Sequence, residues 1–448
     1  WCLEEGGISV EAVDWVAFYD EEIRRRFKVS VLLRKLLNYK KKIITFSQKE
    51  SYLACAFYPS PFQEAVILVN DGSKVRTVFG KGQGNQIDFC ENPDFSYSLG
   101  LVYSAVTHYL GFEAGSDEYK IMGLSAYGKP RYIDLIIKNK NKLSSTNFRA
   151  TDRFLSNAFA AQPRKADSEI AQKHMDIAAS VQAAIEEEVT KQVEYLHRVG
   201  NSQNLCLSGQ VALNCLANTS ILRQGLFRDL WIQPAGNDAG CAIGAAFLLW
   251  FKYLGNKRHT DSKKDMMKSG FLGPAYSDEY VEHFLKSKKI RFRKLDTIQI
   301  PALTADLLAA GHVIGWFEGR LEFGPRALGA RSILADSRNL IMHDRINLRV
   351  KFREPFRPLA PVVLAEMAEE YFDLKRESPY MLLISQAKEG KKDEIPAAIH
   401  IDNSSRFQTT KREVFPLYYD TIKAFYDQTG CPVLINTSFN RKGEPIVC

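Results

Sequence analysis

At 448 residues the chain is too long for one hydrophobic core, so two or three domains are expected. A hydrophobic share of 45% with 25% charged residues is that of a globular protein, and the longest apolar run, Ala239–Trp250, is too short to span a bilayer. The net charge of +8 comes with no nucleic-acid-binding motif, so neither a membrane nor a nucleic acid is expected as partner.

The eight cysteines form no C-x-x-C pair, and scattered reduced thiols in a cytoplasm are the simplest reading. No secretory signal opens the chain. It begins WCLEEGG without Met and stops at GEPIVC, which reads as a piece of a longer protein.

In chain order, Trp15–Tyr19 reads as a buried strand. Glu21–Lys42 reads as an amphipathic helix packed on its own domain, or else a membrane-surface or nucleic-acid helix, with Ile23, Phe27, Val31, Leu32, Leu36 and Leu37 on one side. Ile43–Phe46 and Glu64–Asn70 read as strands, the second ending in Asp71-Gly72. That dipeptide is a hairpin turn, or an acid at a strand end facing a metal or phosphate. Leu99–Leu110 has helical spacing with Gly111 as its stop. The loop after it, with Lys120, Gly123 and Gly128, either lies over a ligand or is a tight connection. Asp167–Arg198 is the longest helical pattern.

Asn204–Leu207 and Leu230–Gln233 read as strands, each followed by a Gly-rich turn with a polar side chain, Asn214 or Asp238. Strand, Gly turn and helix start together make an anion or nucleotide site, and Gly209 and Asn214 belong to the first of them. Leu254–Gly270 reads as a linker or surface loop. Helices are expected near Asp278–Lys286, Ala302–Ala310 and Asp420–Thr429. Strands are expected at His312–Phe317, Tyr380–Ser385 and Pro432–Ile435. The last ends in Asn436, Thr437, Ser438 and Asn440, on the usual ligand side of an α/β sheet or as a polar turn.

The stretch Arg320–Arg357 holds eight arginines and Lys351, interrupted by Gly324, Pro325 and Gly329. Guanidinium is the planar fork that grips phosphate or carboxylate with two parallel bonds, so a pocket for a polyanionic small molecule is expected here.

The segments SLGLVYSAVT with EYKIMGLSAYGKP, GQVALNC, IQPAGNDAGCAIGAA, EFGPRALGARSIL, KFREPFRPLAP and CPVLINTSFNRKGEPIV resemble the O-carbamoyltransferases of the NodU/CmcH family over nearly the whole length. The resemblance implies an α/β chain. Residues 1–253 would be an actin-like, TsaD-like transfer domain, 254–270 a linker, and 271–448 a YrdC-like domain. The YrdC-like domain would form carbamoyl adenylate from carbamoyl phosphate and ATP with Mg²⁺, releasing pyrophosphate. The TsaD-like domain would pass the carbamoyl group to a hydroxyl of a small-molecule or oligosaccharide acceptor. Homodimers are common in the family. Lys351, Arg357 and Arg326 would be catalytic. Arg331, Arg353, Asn436, Ser438, Asn440, Gly209, Asn214 and Lys120 would bind the nucleotide and phosphates, and Asp71 and Asp238 would face a metal.

Three departures stand out. Where the family carries a metal-binding HHxxHA motif, often holding iron, this chain reads Gln48-Lys49-Glu50-Ser51-Tyr52-Leu53. Two carboxylates alone suit magnesium better than iron. Gln210 replaces the second Gly of the GGVALN loop, and the DG turn continues Ser73-Lys74-Val75. The family's opening strand with its HDSS-like segment lies upstream of Trp1. The alternatives are a degenerate nucleotide-binding scaffold, or a member keeping only the adenylate-forming half-reaction.

Overall fold

The computed structural model describes residues 2–20, 23–72, 76–90, 92–262 and 264–448. They form two compact units. Unit 1 is Trp1–Ile121 with Gly128–Met266, and unit 2 is Met122–Tyr127 with Met267–Cys448. Both are mixed α/β, the expected fold class. No helix among the described residues is long and apolar enough to cross a membrane.

In unit 1, β1 (Trp15–Tyr19) pairs in parallel with β2 (Lys42–Phe46). The larger sheet holds β3 (Glu64–Val69), β4 (Val78–Gln83), β5 (Gln86–Cys90), β6 (Asn204–Ser208) and β7 (Asp229–Ile232), ordered β5-β4-β3-β6-β7. Strands β3, β6 and β7 run parallel. Their near-continuous apolar runs suit strands covered on both faces. Antiparallel β4 pairs with β3 from Val69 opposite Val78 onward. Residues 73–75 of the expected turn lie outside the described residues.

Helix Leu99–Tyr109 starts where Ser98 Oγ accepts from the Leu101 amide at 3.1 Å, and Gly111 follows it at φ 73°. The longest helix is Gln172–Gly200. Helix Gln48–Phe57 opens on a capping box in which Ser47 and Glu50 satisfy each other's amides. It packs against helix Asp238–Phe247 so closely that a Cβ on Gly244 would stand 1.9 Å from the Ser51 carbonyl oxygen. The small residues of that helix therefore serve helix packing as well as the turn before it.

Two expectations need correction in unit 1. Helix Ile23–Leu37 forms, but Val31, Leu32 and Leu36 are 48%, 50% and 70% exposed, so these three side chains are not packed on the unit; Ile23, Phe27 and Leu37 of the expected apolar side lie outside the described side chains. The stretch 254–270 is not a free surface loop throughout. Arg258 is buried and donates to four backbone carbonyls, those of Phe57, Tyr58, Ser60 and Phe62, at 2.8–2.9 Å. Its guanidinium also lies 4.3 Å from the Phe57 ring centre.

In unit 2, β8 (Ile314–Phe317), β9 (Arg331–Asp336) and β10 (Pro361–Leu364) come first in the chain. The two-residue β11 (Ser385–Gln386) and β12 (Ser404–Ser405) pair separately. With β13 (Gln408–Thr410) and β14 (Val433–Ser438) the sheet is ordered β13-β10-β14-β9-β8, antiparallel except for β10 with β13. Successive β14 residues point to opposite faces. Leu434 joins the core of Leu308, Trp316, Leu334, Tyr418 and Phe425, while Ile435 joins Met342, Ile346 and Leu359. Of the strand expected over Tyr380–Ser385 only Ser385 lies in one, at the start of β11, and Met381 at φ 54° breaks the extended run before it.

Candidate active site

The arginine stretch is not one continuous pocket, because its middle is a core strand: all six residues of β9 are buried. Arg331 is 0% exposed, stacks 3.6 Å from the Phe317 ring centre and donates to the carbonyls of Glu318, Gly319, Ala330 and Pro274. Arg338 is held by a bidentate pair with Asp336, Arg345 by the Gly311 carbonyl and Arg320 by the Gly273 carbonyl. Composition overstated the pocket because a guanidinium fork also suits loop carbonyls.

What remains is a compact cluster. A π-helical turn, Arg345–Val350, leads into Lys351, and Phe352 follows in the left-handed region at φ 52°. Such strain in a non-glycine residue is typical of functional loops. Lys351 is 3% exposed. Its Nζ donates to the Ser438 carbonyl, to Ser438 Oγ at 3.0 Å and to Asn440 Oδ1 at 2.8 Å, at the end of β14. Burial first, then the nearby Arg353 and Arg357 guanidiniums, pull its pKa down to about 7.

Asn347, fully buried, sets the two arginines. Its Oδ1 accepts from Arg353 Nε at 2.6 Å and its Nδ2 donates to the Arg357 carbonyl at 2.9 Å. Arg357 also meets Glu354 at 3.5 Å, and Glu354 pairs with Lys442 at 2.9 Å. Asn436 does not point at Lys351. It is buried and donates to Gln408 Oε1 at 2.8 Å and the Ala327 carbonyl at 3.3 Å, which ties β14 to the loop carrying Arg326.

In unit 1 the ends of parallel β3, β6 and β7 meet. Gly209 stands at φ 89°, and a Cβ on it would lie 2.1 Å from the Asn70 carbonyl oxygen, so only glycine fits. Asn214 caps helix Cys215–Gln224 through the Ala217 amide at 3.1 Å and exchanges hydrogen bonds with Gln182. Gln210 Oε1 lies 2.1 Å from where a Gly72 Cβ would be, so its side chain fills space at the Asp71-Gly72 turn. Lys120 is buried, paired with Asp117 at 2.8 Å and 5.6 Å from the Phe112 ring centre.

Beside these loops stand Asp71 and Asp238. Gln48 and Tyr52, one helical turn apart, face them from helix Gln48–Phe57. Tyr52 Oη donates to Asp71 Oδ1 at 2.8 Å and lies 3.3 Å from Asp238 Oδ1, which Gln48 Nε2 approaches at 3.5 Å. Burial first, then the Asp71 charge, push the Tyr52 hydroxyl far above its ordinary pKa, so it keeps its proton. Among the described residues no cluster of three or more His, Cys, Asp or Glu could hold a metal ion. The donor set does not fit the metal that the resemblance implies: beside the two carboxylates, an amide and a protonated phenol stand in place of the imidazoles.

Residues 3–247 match the family description Carbamoyltransferase N-terminus, and residues 305–448 match Carbamoyltransferase C-terminus. The chain belongs to the carbamoyltransferase family. An uncharacterized protein of Synechocystis is 38% identical, with 100% of this chain and 85% of that protein aligned. Nodulation protein NolNO of Sinorhizobium fredii is 36% identical over 100% of this chain and 70% of its own length. Nodulation protein NolO of Bradyrhizobium diazoefficiens is 38% identical over 89% and 73%.

Two further residues of this carbamoyltransferase-family chain shape the site and escaped the sequence reading. Asn347 is one. The other is Glu322, 6% exposed, whose Oε1 accepts from the amides of Leu328 and Ala330 at 2.7 Å and of Arg331 at 3.3 Å. Those amides are therefore engaged by a carboxylate. The EFGPRALGARS motif contained Glu322, but its acid was overshadowed by the arginines around it.

Proposed function

We propose that this chain is a carbamoyltransferase in which unit 2 forms carbamoyl adenylate from carbamoyl phosphate and ATP. The carbamoyl group would then pass to a hydroxyl of a small-molecule or oligosaccharide acceptor. The observation that carries the reading is Lys351, buried beside Arg353 and Arg357 with its Nζ held by Ser438 and Asn440. Three cationic groups around one strand end suit adjacent phosphates, whose mutual repulsion is the main obstacle to the reaction.

For the atoms to balance, carbamoyl phosphate and water give orthophosphate and carbamate, and a carbamate oxygen displaces pyrophosphate from the α-phosphorus of ATP. Lys351 and Arg357 would neutralise the departing pyrophosphate, and Arg353 and Arg326 would hold the phosphates in line. Mg²⁺ would accompany the ATP. Incubation with carbamoyl phosphate, ATP and Mg²⁺ should release orthophosphate and pyrophosphate in equal amounts. Lys351→Ala should lower that rate by about 100-fold or more. Equal rates in the two proteins would sink the assignment.

A second reading is favoured by Tyr52, whose hydroxyl lies between Asp71 and Asp238. On it the chain keeps adenylate formation and lacks metal-assisted transfer. Release of pyrophosphate without carbamoylation of any added hydroxyl acceptor would distinguish it from the first.

A further inference from the structure

The Asp71–Asp238 centre differs from a vacant carboxylate pair in one respect: a buried side chain already stands where a ligand would bind. Tyr52 is 0% exposed, and its hydroxyl oxygen lies 2.8 Å from one carboxylate and 3.3 Å from the other. A divalent ion shared by both would need carboxylate oxygens at about 2.0–2.6 Å and would claim the volume that this oxygen fills. The phenol has little freedom to withdraw. Its helix is pressed against helix Asp238–Phe247 at Gly244, and its C-terminal carbonyls are held by Arg258. Asp238 itself is anchored from a further strand, since Tyr19 Oη donates to its backbone carbonyl at 3.1 Å. Gln48 completes the arrangement from one turn earlier on the same face.

We propose that Tyr52 closes the Asp71–Asp238 pair with hydrogen bonds in place of a divalent cation. Gln48 and Tyr52 are then the two side chains that exclude metal from an otherwise metal-competent framework. This goes beyond the adenylate chemistry of unit 2 and is independent of it, because metal retention is read without turnover. The framework makes a specific demand. Histidines at positions 48 and 52, four apart on a helix, would face the same two carboxylates and complete a two-histidine, two-carboxylate set of the kind that binds Fe(II) or Zn(II).

The test uses the full chain, stripped with a chelator and exposed anaerobically to Fe(II) and separately to Zn(II) or Mn(II). Metal retained per chain is measured after gel filtration, with circular dichroism to verify folding. The unaltered chain is expected to hold the same metal as its Asp238→Asn variant, meaning none at this pair. The double variant Gln48→His/Tyr52→His is expected to gain one equivalent, which Asp238→Asn then removes. Tyr52→Phe keeps the ring and frees the carboxylates, and it should bind Mn(II) at least about tenfold more tightly than the unaltered chain. One equivalent in the unaltered chain that Asp238→Asn abolishes would overturn the proposal, as would a folded double-histidine variant that binds nothing. Should the double variant fail to fold, equal Mn(II) affinity in Tyr52→Phe and the unaltered chain overturns it instead.

Discussion

Burial brings two groups of unit 2 to a pKa of about 7 from opposite directions: Lys351 downward and the Glu318 carboxyl upward. For Lys351 the consequence is in binding. As pH rises through about 7 the free protein gives up this proton, and phosphates placed beside the amine favour its return. ATP binding at pH 8 should therefore take up about one proton, and affinity should weaken as pH rises above 7. Calorimetry in buffers of different ionisation enthalpy measures the uptake; a Lys351→Met protein should show none. Glu318 accepts from Trp316 Nε1 at 3.1 Å, and its raised pKa means the folded state binds the proton more strongly than the unfolded chain. Its contribution to stability is complete below the unfolded carboxyl pKa of about 4.5 and is lost as pH rises through 7. Glu318→Gln should remove on the order of 2 kcal/mol of the stability lost between pH 5 and pH 8 in urea melts. An unchanged pH dependence would show that the carboxyl ionises freely in the fold.

At the scale of elements, helix Gln48–Phe57 depends on a side chain two hundred residues away. Four backbone carbonyls at or just past its end converge on Arg258, which is 4% exposed. Arg258→Met should destabilise unit 1 by about 3–5 kcal/mol, since it strands buried carbonyls. Arg258→Lys should recover less than half, because one ammonium cannot span four acceptors in a plane. Chemical denaturation followed by far-ultraviolet circular dichroism measures both. Elements of this kind divide by what their sequences reveal. Strands β3 and β6 are legible as apolar runs, and helix Leu99–Tyr109 is legible from Ser98 and Gly111. Strand β9 is not, since Arg331, Ser332 and Asp336 give a buried strand a polar spelling that only cross-strand partners and carbonyls make sense of. Among site residues, Lys351 donates to Ser438 and Asn440, a meeting of two distant motifs that the sequence does not spell out. Asn347 was invisible because its contacts depend on a π-helical turn that no propensity encodes. The replacement of histidines by Gln48 and Tyr52 could be read only from the resemblance to the family, and the phenol's position between two carboxylates not even from that.

For the molecule as a whole, the two compact units are not two consecutive lengths of chain. Met122–Tyr127 belongs to unit 2, although unit 1 resumes at Gly128. His400 Nε2 donates to the Gly123 carbonyl at 2.8 Å, the His400 and Tyr127 rings meet edge-on at 5.4 Å, and Tyr127 Oη reaches the Phe356 carbonyl at 3.5 Å. His400→Ala in the full chain should cost about 1 kcal/mol locally and raise amide hydrogen exchange within 122–127 while leaving the β3–β6–β7 region protected. Unchanged exchange there would mean that the segment is held by other contacts. The interleaving also imposes an order on synthesis. About 140 residues separate this hexapeptide from the rest of unit 2. At about 5–20 residues per second a ribosome needs on the order of ten seconds to deliver even the first of its partners. For that interval Met122, Leu124 and Tyr127 wait outside a finished core, which makes the hexapeptide the place where a chaperone or a protease would meet the nascent chain.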